Sequence, residues 1–277
     1  MELFVVQNIK TFLAKSFGAE LRVIMFDLTA KVAVVIGGTS GLGKAIALGL
    51  ADAGADVVAS SRTRALVDEV ASEIERKKRR TLRQVSDVSD RQSLQALHDS
   101  TIDAFGAVHI LVNAAGITKR VETLDCSEDL WNGIMDINLK GTLRACQIFG
   151  KTMLTQGYGR IINIASLSTF VAFNGVAAYC ASKAAVGALT RSLAVEWGDQ
   201  GVCVNAIAPG IFPTELNRVL LDSPRGHEIL MRTPMHRFGN VDEVVGAAVY
   251  LSSCHSSFTN GEILTIDGGY MASGVNQ

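Results

Sequence analysis

The chain has 277 residues, of which 48% are hydrophobic and 19% are charged, and only four are proline. A chain of this length and composition can bury one large core, which excludes an intrinsically disordered protein. Its formal net charge of −1 gives no reason to expect a nucleic acid or an anionic membrane as a partner.

Residues 1–25 precede the first strand-like segment and form a candidate N-terminal extension. Apolar residues recur there at roughly helical spacing: Leu3, Val6, Ile9, Phe12, Leu13 and Phe17. The pattern leaves three interpretations open, namely a targeting helix, a helix that docks on a partner or neighbouring subunit, and an upstream start codon before a protein that begins at Met25. The mass of the natively expressed protein would separate the last interpretation from the other two.

From Lys31 to Asp267, short strand-like runs alternate with helical patterns. The predicted strands are 32–36, 56–60, 82–85, 108–112, 160–165, 202–207 and 263–266. The predicted helices include 42–53, 94–104, 130–153, 177–196 and 241–251. Such alternation implies right-handed βαβ units, and therefore a parallel sheet covered by helices on both faces. No linker or repeat interrupts this span, so we expect residues 26–277 to form a single α/β domain.

A glycine-rich loop joins the first predicted strand to the first predicted helix. It consists of Gly37, Gly38, Thr39, Ser40, Gly41, Leu42 and Gly43. Glycine permits a tight turn and lets backbone amides approach a pyrophosphate at the N-terminus of a helix. The strand–loop–helix context therefore predicts a dinucleotide site, with a flexible turn as the alternative.

The end of the second predicted strand bears on the choice of cofactor. A carboxylate there would bind the adenosine ribose hydroxyls of NAD and repel a 2′-phosphate. This chain instead has Ser61 followed by Arg62, with Arg64 two positions further on, and a guanidinium suits a phosphate. We therefore expect NADP(H) to be preferred and NAD(H) to be possible, since solvated surface arginines are the alternative interpretation.

Five consecutive basic residues occupy positions 76–80, at the predicted end of a helix. Cations near a helix C-terminus interact favourably with the helix dipole, and such a run is readily solvated. The run therefore does not indicate a nucleic acid partner.

Tyr179 and Lys183 are four positions apart, and Ser166 lies thirteen positions before the tyrosine. In a helix, four residues span about 6 Å and place the phenol and the ammonium on one face. A neighbouring cation lowers the pKa of a phenol, which makes it usable for proton transfer at an alcohol or carbonyl oxygen. The spacing predicts a catalytic pair, and two ordinary residues on a solvated helix face are the alternative.

These motifs together resemble those of the short-chain dehydrogenase/reductase family, over about residues 26–270. The glycines of the loop match the family's TGxxxGxG pattern, with Ile36 where threonine is usual. Further matches are the adenine-contacting pair Asp87 and Val88, the NNAG turn at Asn113, Ala114, Ala115 and Gly116, and the PGxxxT positions Pro209, Gly210 and Thr214. The resemblance implies a single Rossmann-type doubly wound sheet whose cofactor is bound by these positions, with Thr214 reaching the nicotinamide carboxamide.

The resemblance also implies a catalytic tetrad of Asn138, Ser166, Tyr179 and Lys183. Tyr179 would exchange a proton with the reacting oxygen, and Ser166 would hydrogen-bond that oxygen. Lys183 would lower the pKa of the tyrosine and hold the nicotinamide ribose, so that both residues also contact the cofactor. Asn138 would keep a water in a relay from the lysine to solvent.

Residues 211–236 correspond to the substrate lid of the family. This segment carries basic side chains that could bind a carboxylate, together with acidic ones: Arg218, Arg225, His227 and Arg232, and Glu215, Asp222 and Glu228. A solvated helix pair of mixed charge is the alternative. The run 232–239 resembles the RTPxxRxG run of gluconate 5-dehydrogenase-like members, which implies a sugar acid such as gluconate or 5-ketogluconate as the substrate.

Two other functions remain open. A 3-oxoacyl-thioester reductase has a similar core, and a non-catalytic dinucleotide-binding sensor or scaffold would use the same fold. The family usually forms dimers or tetramers, so a homotetramer is expected and a dimer is possible. Small residues near Tyr179 would permit close helix packing between subunits, although packing within one chain explains them equally: Ala181, Ala184, Ala185, Gly187 and Ala188.

The five cysteines show no Cys-x-x-Cys spacing, which indicates reduced thiols and a cytoplasmic protein. The five histidines are not at metal-ligand spacing, so no catalytic metal is expected. No apolar run reaches the length needed to span a membrane.

Overall fold

The structure of the chain is a computed structural model that describes residues 26–214 and 223–274. Its centre is a parallel sheet with the strand order β2-β1-β3-β4-β5-β6. The strands are β1 (Val32–Ile36), β2 (Asp56–Ser60), β3 (Ile110–Asn113), β4 (Gly159–Ile164), β5 (Val202–Pro209) and β6 (Ile263–Ile266). The predicted fold class, a doubly wound parallel α/β sheet, is confirmed. The candidate extension at 1–25 lies outside the described residues.

Helices cover both faces of this sheet. They are α1 (Gly41–Asp52), α2 (Arg64–Arg76), α3 (Arg91–Phe105), α4 (Glu128–Met135), α5 (Gly141–Gln156), α6 (Ala177–Trp197), α7 (Pro224–Arg232) and α8 (Val245–Ser252). One face packs against α1, α2 and α8, through residues such as Leu50 and Leu251. The other face packs against α3, α5 and α6, through residues such as Leu97 and Phe149.

The unbroken apolar sequence of β1 follows from burial on both sides. All five of its residues are buried. Successive side chains of a strand point to opposite faces, and Val34 and Val35 accordingly belong to the two different apolar layers. A strand that alternated apolar and polar residues would expose charge to one of these layers, so the sequence of a central parallel strand is apolar throughout.

The predicted strand at 82–85 is wrong, because the segment is extended but makes no ladder with β2. Only its flanks bond to the β2 backbone, where Val57 N donates to Arg80 O at 3.1 Å and Ser86 N donates to Ser61 O at 3.0 Å. Between these points the side chain of Ser60 donates to Gln84 O at 2.6 Å. A side-chain hydroxyl thus satisfies a carbonyl that a regular strand would bond to backbone.

The single helix predicted at 130–153 is divided into α4, a π-helical turn at Asp136–Lys140, and α5. A π-turn inserts an extra residue into the helix and often marks a functional site. The buried residue of this turn is Asn138. The helix predicted at 241–251 begins with a 3₁₀ turn, Val241–Val244, because Asn240 caps its first amides.

Candidate active site

The predicted site residues gather at the carboxyl edge of the sheet. Gly37, Ala114 and Gly210 directly follow β1, β3 and β5. From β1 the chain continues to β2 on one side and then returns to β3 on the other. Ligands of open α/β sheets bind in the crevice at this switch in strand order, and the glycine loop and the NNAG-like turn flank it here.

The glycine loop is pressed against that turn. Gly37 has a φ of +77°, and a Cβ at this position would stand 2.6 Å from Ala115 N, so a larger residue cannot be accommodated. The Ile36 carbonyl accepts from Ala114 N at 2.8 Å, which joins the two segments through backbone alone. The side chain of Ser40, which precedes α1, makes no capping hydrogen bond to the described residues. The first amides of α1 therefore have no side-chain cap from Ser40, which leaves them suited to a pyrophosphate.

The PGxxxT segment faces the same loop from the opposite side. Cγ2 of Thr214 lies 3.1 Å from the position that a Cβ would take on Gly41. Gly210 N donates to Ile266 O at 2.8 Å, which fixes the start of the segment to β6. Leu42 differs from its loop neighbours, because its side chain packs against the apolar core.

The two arginines near the tip of β2 differ in their partners. Ser61 Oγ accepts from Thr39 Oγ1 at 2.7 Å, which ties the tip to the glycine loop. Arg62 is exposed. Arg64 instead bonds to Asp68 at 3.0 Å within α2. The two arginines considered from the sequence therefore separate into one that is available and one that is engaged.

Asp87 lies close enough to Arg62 for their charges to interact. Burial opposes ionisation of this carboxyl, but hydrogen bonds from Ser89 and the charges of Arg62 and Arg144 outweigh it, so the pKa of Asp87 is lowered. Both Ser89 donors reach the same oxygen, Oδ1, at 2.7 and 2.9 Å. Asp87 thus stays ionised and shapes the turn that also holds Val88.

The side chain of Asn113 has a structural role. The amide is buried and donates to Asn163 Oδ1 at 2.9 Å, which links β3 to β4. Asn163 in turn donates to Thr190 Oγ1 on α6 at 2.9 Å. The predicted cofactor contact of Asn113 stays a prediction, and its Nδ2 group is already engaged in the core.

Two of the four predicted tetrad residues, Asn138 and Lys183, converge on Gly116. A Cβ on this glycine would stand 3.4 Å from Asn138 Oδ1 and 3.5 Å from Lys183 Nζ. The Lys183 ammonium lies 5.8 Å from the centre of the Tyr179 ring. Ser166 lies close enough to Tyr179 to lower the pKa of its phenol. The four side chains therefore form one continuous cluster beside the crevice.

Asn138 is fully buried and held at both ends of its amide. Its Oδ1 accepts from Ile117 N at 2.8 Å, and its Nδ2 donates to Ile117 O at 2.9 Å and to Ser182 Oγ at 3.0 Å. The π-turn therefore fixes the backbone that follows Gly116. Ser182, on α6, was not predicted from the sequence, since a serine between Tyr179 and Lys183 carries no signal of its own.

The protonation of the Tyr179–Lys183 pair depends on burial. Burial raises the pKa of Tyr179, and the hydrogen bond with Ser166 lowers it by less. Burial also lowers the pKa of Lys183 to about 8. The lysine donates a hydrogen bond to the Ile164 carbonyl at 2.7 Å. The expectation that Lys183 lowers the pKa of the tyrosine stays a prediction. Burial is the largest influence on the pKa of this phenol, which keeps its proton at neutral pH.

The entrance to this cluster is bordered by the loop between Ser166 and Tyr179. Arg225 of α7 donates to Asn174 O at 3.0 Å, and its guanidinium lies 5.7 Å from the centre of the Phe173 ring. Phe173 also contacts the ring of Tyr270, with the two centres 6.2 Å apart. A Cβ on Gly175 would lie 3.2 Å from Cγ of Arg120. Arg120 was missed, although a basic pair directly after the NNAG-like turn was a visible signal.

The other basic residues of the lid are engaged with neighbours. Arg232 pairs with Glu228 at 3.0 Å. Arg237 makes two bonds to Glu243, at 2.6 and 2.7 Å, and this guanidinium lowers the pKa of Glu243 to about 2. The arginines of the run 232–239 therefore stabilise the local fold. Arg218, Glu215 and Asp222 lie outside the described residues.

Within the described residues, no helix combines the length and the apolar character needed to cross a membrane. In the same ranges, 26–214 and 223–274, there is no group of three or more His, Cys, Asp or Glu side chains placed to hold a metal ion.

Known proteins similar to this chain share its length and fold. A family profile described as enoyl-(acyl carrier protein) reductase matches residues 37–271. A 2-dehydro-3-deoxy-D-gluconate 5-dehydrogenase from Pseudoalteromonas atlantica is 42% identical over 248 residues, which cover 89% of this chain and 98% of that protein. A D-threitol dehydrogenase from Mycolicibacterium smegmatis is 40% identical over 245 residues, which cover 88% and 94%.

A solved structure gives the same result at the level of coordinates. The crystal structure of a gluconate 5-dehydrogenase from Burkholderia cenocepacia J2315, in complex with NADP and tartrate, superposes with a TM-score of 0.87. The two sequences are 36% identical, and the match covers 90% of this chain and 98% of that one.

Proposed function

Because the chain belongs to the short-chain dehydrogenase/reductase family, it is an oxidoreductase that acts on CH–OH groups with NAD(P), and we propose that its substrate is a sugar acid. The reaction is the interconversion of a secondary alcohol and a ketone, as between gluconate and 5-ketogluconate. The observation that carries the proposal is the cluster of Ser166, Tyr179, Lys183 and Asn138 beside the crevice at the switch in strand order.

The chain's contribution to the chemistry is the transfer of a proton. A bound nicotinamide dinucleotide supplies or accepts the hydride. Tyr179 holds a proton at neutral pH, because burial raises the pKa of its phenol. It is therefore ready to protonate a carbonyl oxygen in the reductive direction. Ser166, which lies beside Tyr179, hydrogen-bonds the same oxygen and stabilises the charge that develops on it.

Lys183 and Asn138 support this transfer. With a pKa of about 8, Lys183 is largely protonated at pH 7, and its positive charge stabilises the phenolate that remains after proton donation. Asn138 Oδ1 accepts one bond from Ile117 and has a second acceptor site near Gly116. We infer that this site holds a water that returns a proton from solvent to Lys183.

The cofactor site suits NADP(H), and NAD(H) remains possible. The glycine loop and the first amides of α1 bind the pyrophosphate, and Thr214 lies against Gly41 on the side of the nicotinamide segment. Arg62 is exposed at the tip of β2, where a carboxylate would otherwise repel a 2′-phosphate. The crystal structure of the related gluconate 5-dehydrogenase contains NADP, which supports the same preference.

A charged substrate is favoured by the arginines at the entrance. Arg120 and Arg225 border the loop that separates Ser166 from Tyr179, and no ion pair joins either guanidinium to a carboxylate of the described residues. An arginine without an acidic partner can bind a substrate carboxylate. A neutral polyol, as named for the D-threitol dehydrogenase, would gain nothing from this charge.

The test is to measure turnover of a panel of substrates through the absorbance of NADPH and NADH. The panel contains 5-ketogluconate, 2-dehydro-3-deoxygluconate, neutral ketoses, simple ketones and 3-oxoacyl thioesters. We expect the highest kcat/KM for a sugar acid with NADPH in reduction, or with NADP in oxidation. A higher kcat/KM for 3-oxoacyl thioesters would replace the proposal with an acyl-thioester reductase, and preference for a neutral ketose would replace it with a polyol dehydrogenase.

We also propose that the protein is a homotetramer. Ala184, Ala188 and Val195 are exposed along one face of α6, together with Arg191, and this face could pack against a second copy of the helix. Gly187 instead packs within the chain, since a Cβ there would stand 2.6 Å from Thr169 Cγ2. Light scattering at micromolar concentration is expected to give four times the chain mass of 29.5 kDa, and a monomer mass would contradict the proposal.

A further inference from the structure

Arg144 joins the catalytic half of the site to the adenine end of the cofactor crevice. It lies on α5, just after the π-turn. Its Nη2 bonds to the carboxylate of Asp136, the first residue of that turn, at 2.7 Å. Its Nη1 donates to Val88 O at 3.1 Å. A single guanidinium thus bridges Val88 and Asp136, which are 48 residues apart in the sequence.

A second contact binds the other end of the π-turn to the same residue. A Cβ on Gly141, which directly follows the turn, would stand 2.9 Å from Val88 Cβ. The turn can therefore lie against Val88 only because this position has no side chain. Thr142 Oγ1 then donates to Asn138 O at 2.8 Å, which closes the turn from within.

The inner side of the π-turn carries Asn138, which holds the Ile117 backbone next to Gly116. A displacement of Val88 is therefore passed to Asn138 through two packed contacts, the Arg144 bridge and Gly141. The bridge can be removed with less damage to the packing than Gly141, because the side chains of Arg144 and Asp136 are 21% and 30% exposed, so water can reach the groups that remain.

We propose that Arg144 is a positioning residue that couples occupation of the adenine end of the crevice to the placement of Asn138. The inference rests on the proposed function, in which a dinucleotide occupies the crevice. Arg144 contributes through its planar fork, which reaches a carboxylate and a carbonyl at once. A lysine can satisfy one of these partners but not both.

The first measurement is dinucleotide binding, which does not depend on the substrate. NADPH and the fragment 2′,5′-ADP are titrated against wild type, Arg144→Gln and Arg144→Lys, with NADPH fluorescence or calorimetry as the readout. We expect Arg144→Gln to weaken both ligands by about tenfold, and Arg144→Lys to recover about half of that loss on a logarithmic scale. Arg91→Gln is the matched control, since the side chain of Arg91, on α3, bonds to Gln147 of α5 and to no other described residue. Its affinities are expected to equal those of wild type.

The second measurement is the additivity of Arg144→Gln with Asn138→Ala in kcat. If Arg144 acts through Asn138, the double variant turns over no more slowly than Asn138→Ala, while its affinity for NADPH is still reduced. Equal NADPH affinity of Arg144→Gln and wild type, or independent multiplication of the two losses in kcat, would overturn the coupling. A wild type that binds no dinucleotide would instead overturn the proposed function. A wild type that binds NADPH without reducing a sugar acid would leave the binding measurement to decide the role of Arg144.

Discussion

The two halves of the crevice depend on different physical effects. The nucleotide half, around Gly37, is built from backbone: a positive φ, a close contact with Ala115 and helix N-terminal amides that Ser40 does not cap. The catalytic half, around Tyr179 and Lys183, is built from ionisable side chains whose pKa values are shifted by burial. Steric changes should therefore damage the first half, and changes of proton or charge should damage the second.

The largest separation between the halves is expected for Tyr179→Phe. Turnover should fall by about 10³-fold, because the proton donor is removed, whereas NADPH affinity should change little. Rates from NADPH absorbance and affinities from fluorescence titration measure the two effects. Tyr158→Phe is the matched control, since its buried hydroxyl has no hydrogen-bond partner among the described residues. If Tyr179→Phe lost affinity as severely as turnover, the two halves would not be separable.

Gly37→Ala should produce the reverse pattern. The added Cβ requires the loop to move away from Ala115, so NADPH affinity should fall by about 100-fold. Fluorescence titration measures the affinity, and thermal unfolding shows whether the fold survives. Gly246→Ala is the control, because nothing lies within 4 Å of its added Cβ and the residue is in a helix. It should raise the free energy of unfolding by about 0.5 kcal/mol, and an equal loss of NADPH affinity in both variants would refute the steric explanation.

Lys183→Met tests whether burial alone sets the charge state in the catalytic half. Burial lowers the pKa of Lys183 from 10.5 to about 8, so the unfolded chain binds more protons between these values and stability rises with pH there. At pH 7 the wild type carries the full cost of the buried charge. The variant should therefore be more stable at pH 7 by about 2 kcal/mol, after the lost bond to Ile164 is considered. Its advantage should disappear as the pH rises from 8 to 10.5.

Lys44→Met is the control, and its change in the free energy of unfolding should have the opposite sign. Both variants are unfolded with denaturant over the same pH range. The hydrogen bond that Lys44 donates to Glu69, followed by the one that it donates to Glu73, raises the pKa of Lys44. Its stabilising contribution is present below the unfolded pKa and is lost as the pH rises through the folded pKa. This variant should be less stable than wild type at pH 7. If Lys183→Met gave the same sign, burial would not be the dominant cause of its pKa.

Arg62→Ser should have the smallest effect and one confined to the nucleotide half. The ratio of kcat/KM for NADPH to that for NADH should fall by about tenfold, because an exposed guanidinium contributes a modest attraction to a phosphate. Arg64→Ser is the matched control, since Arg64 already pairs with Asp68. A ratio that falls equally in both variants would point to general surface charge instead of a specific contact at Arg62.

Much of the nucleotide half was predictable because its signals are local. Each signal is contained in a few consecutive residues: the glycines of the loop, the apolar run of β1 and the serine–arginine pair at positions 61 and 62. The segment 82–85 was misassigned because its residue pattern is that of a strand. In the structure the Gln84 carbonyl accepts a hydrogen bond from the side chain of Ser60, which is 24 residues earlier in the sequence. Hydrogen bonds between distant residues leave no such pattern in the sequence.

The catalytic half was predictable in its members but not in their states. Spacing and family resemblance identified Tyr179 and Lys183, and the structure brings them together. The direction of both pKa shifts depends on how deeply each group is desolvated, which is a property of the whole packed layer. The bridge from Arg144 to Val88 likewise joins residues whose proximity arises only when α5 packs beside the turn after β2 and α2.

The sequence by itself determined the alternation of strands and helices, because the spacing of apolar residues is a local property. It also predicted the edge of the sheet at which the candidate site lies, because parallel strands all end at the same edge. Only the tertiary structure decided which side chains stay free. Asn113 turns into the core toward Asn163, Arg237 pairs with Glu243, and Arg62 remains exposed. The physical reason is that a hydrogen bond or ion pair forms only between groups about 3 Å apart. Residues that are distant in the sequence reach that separation only in the folded chain.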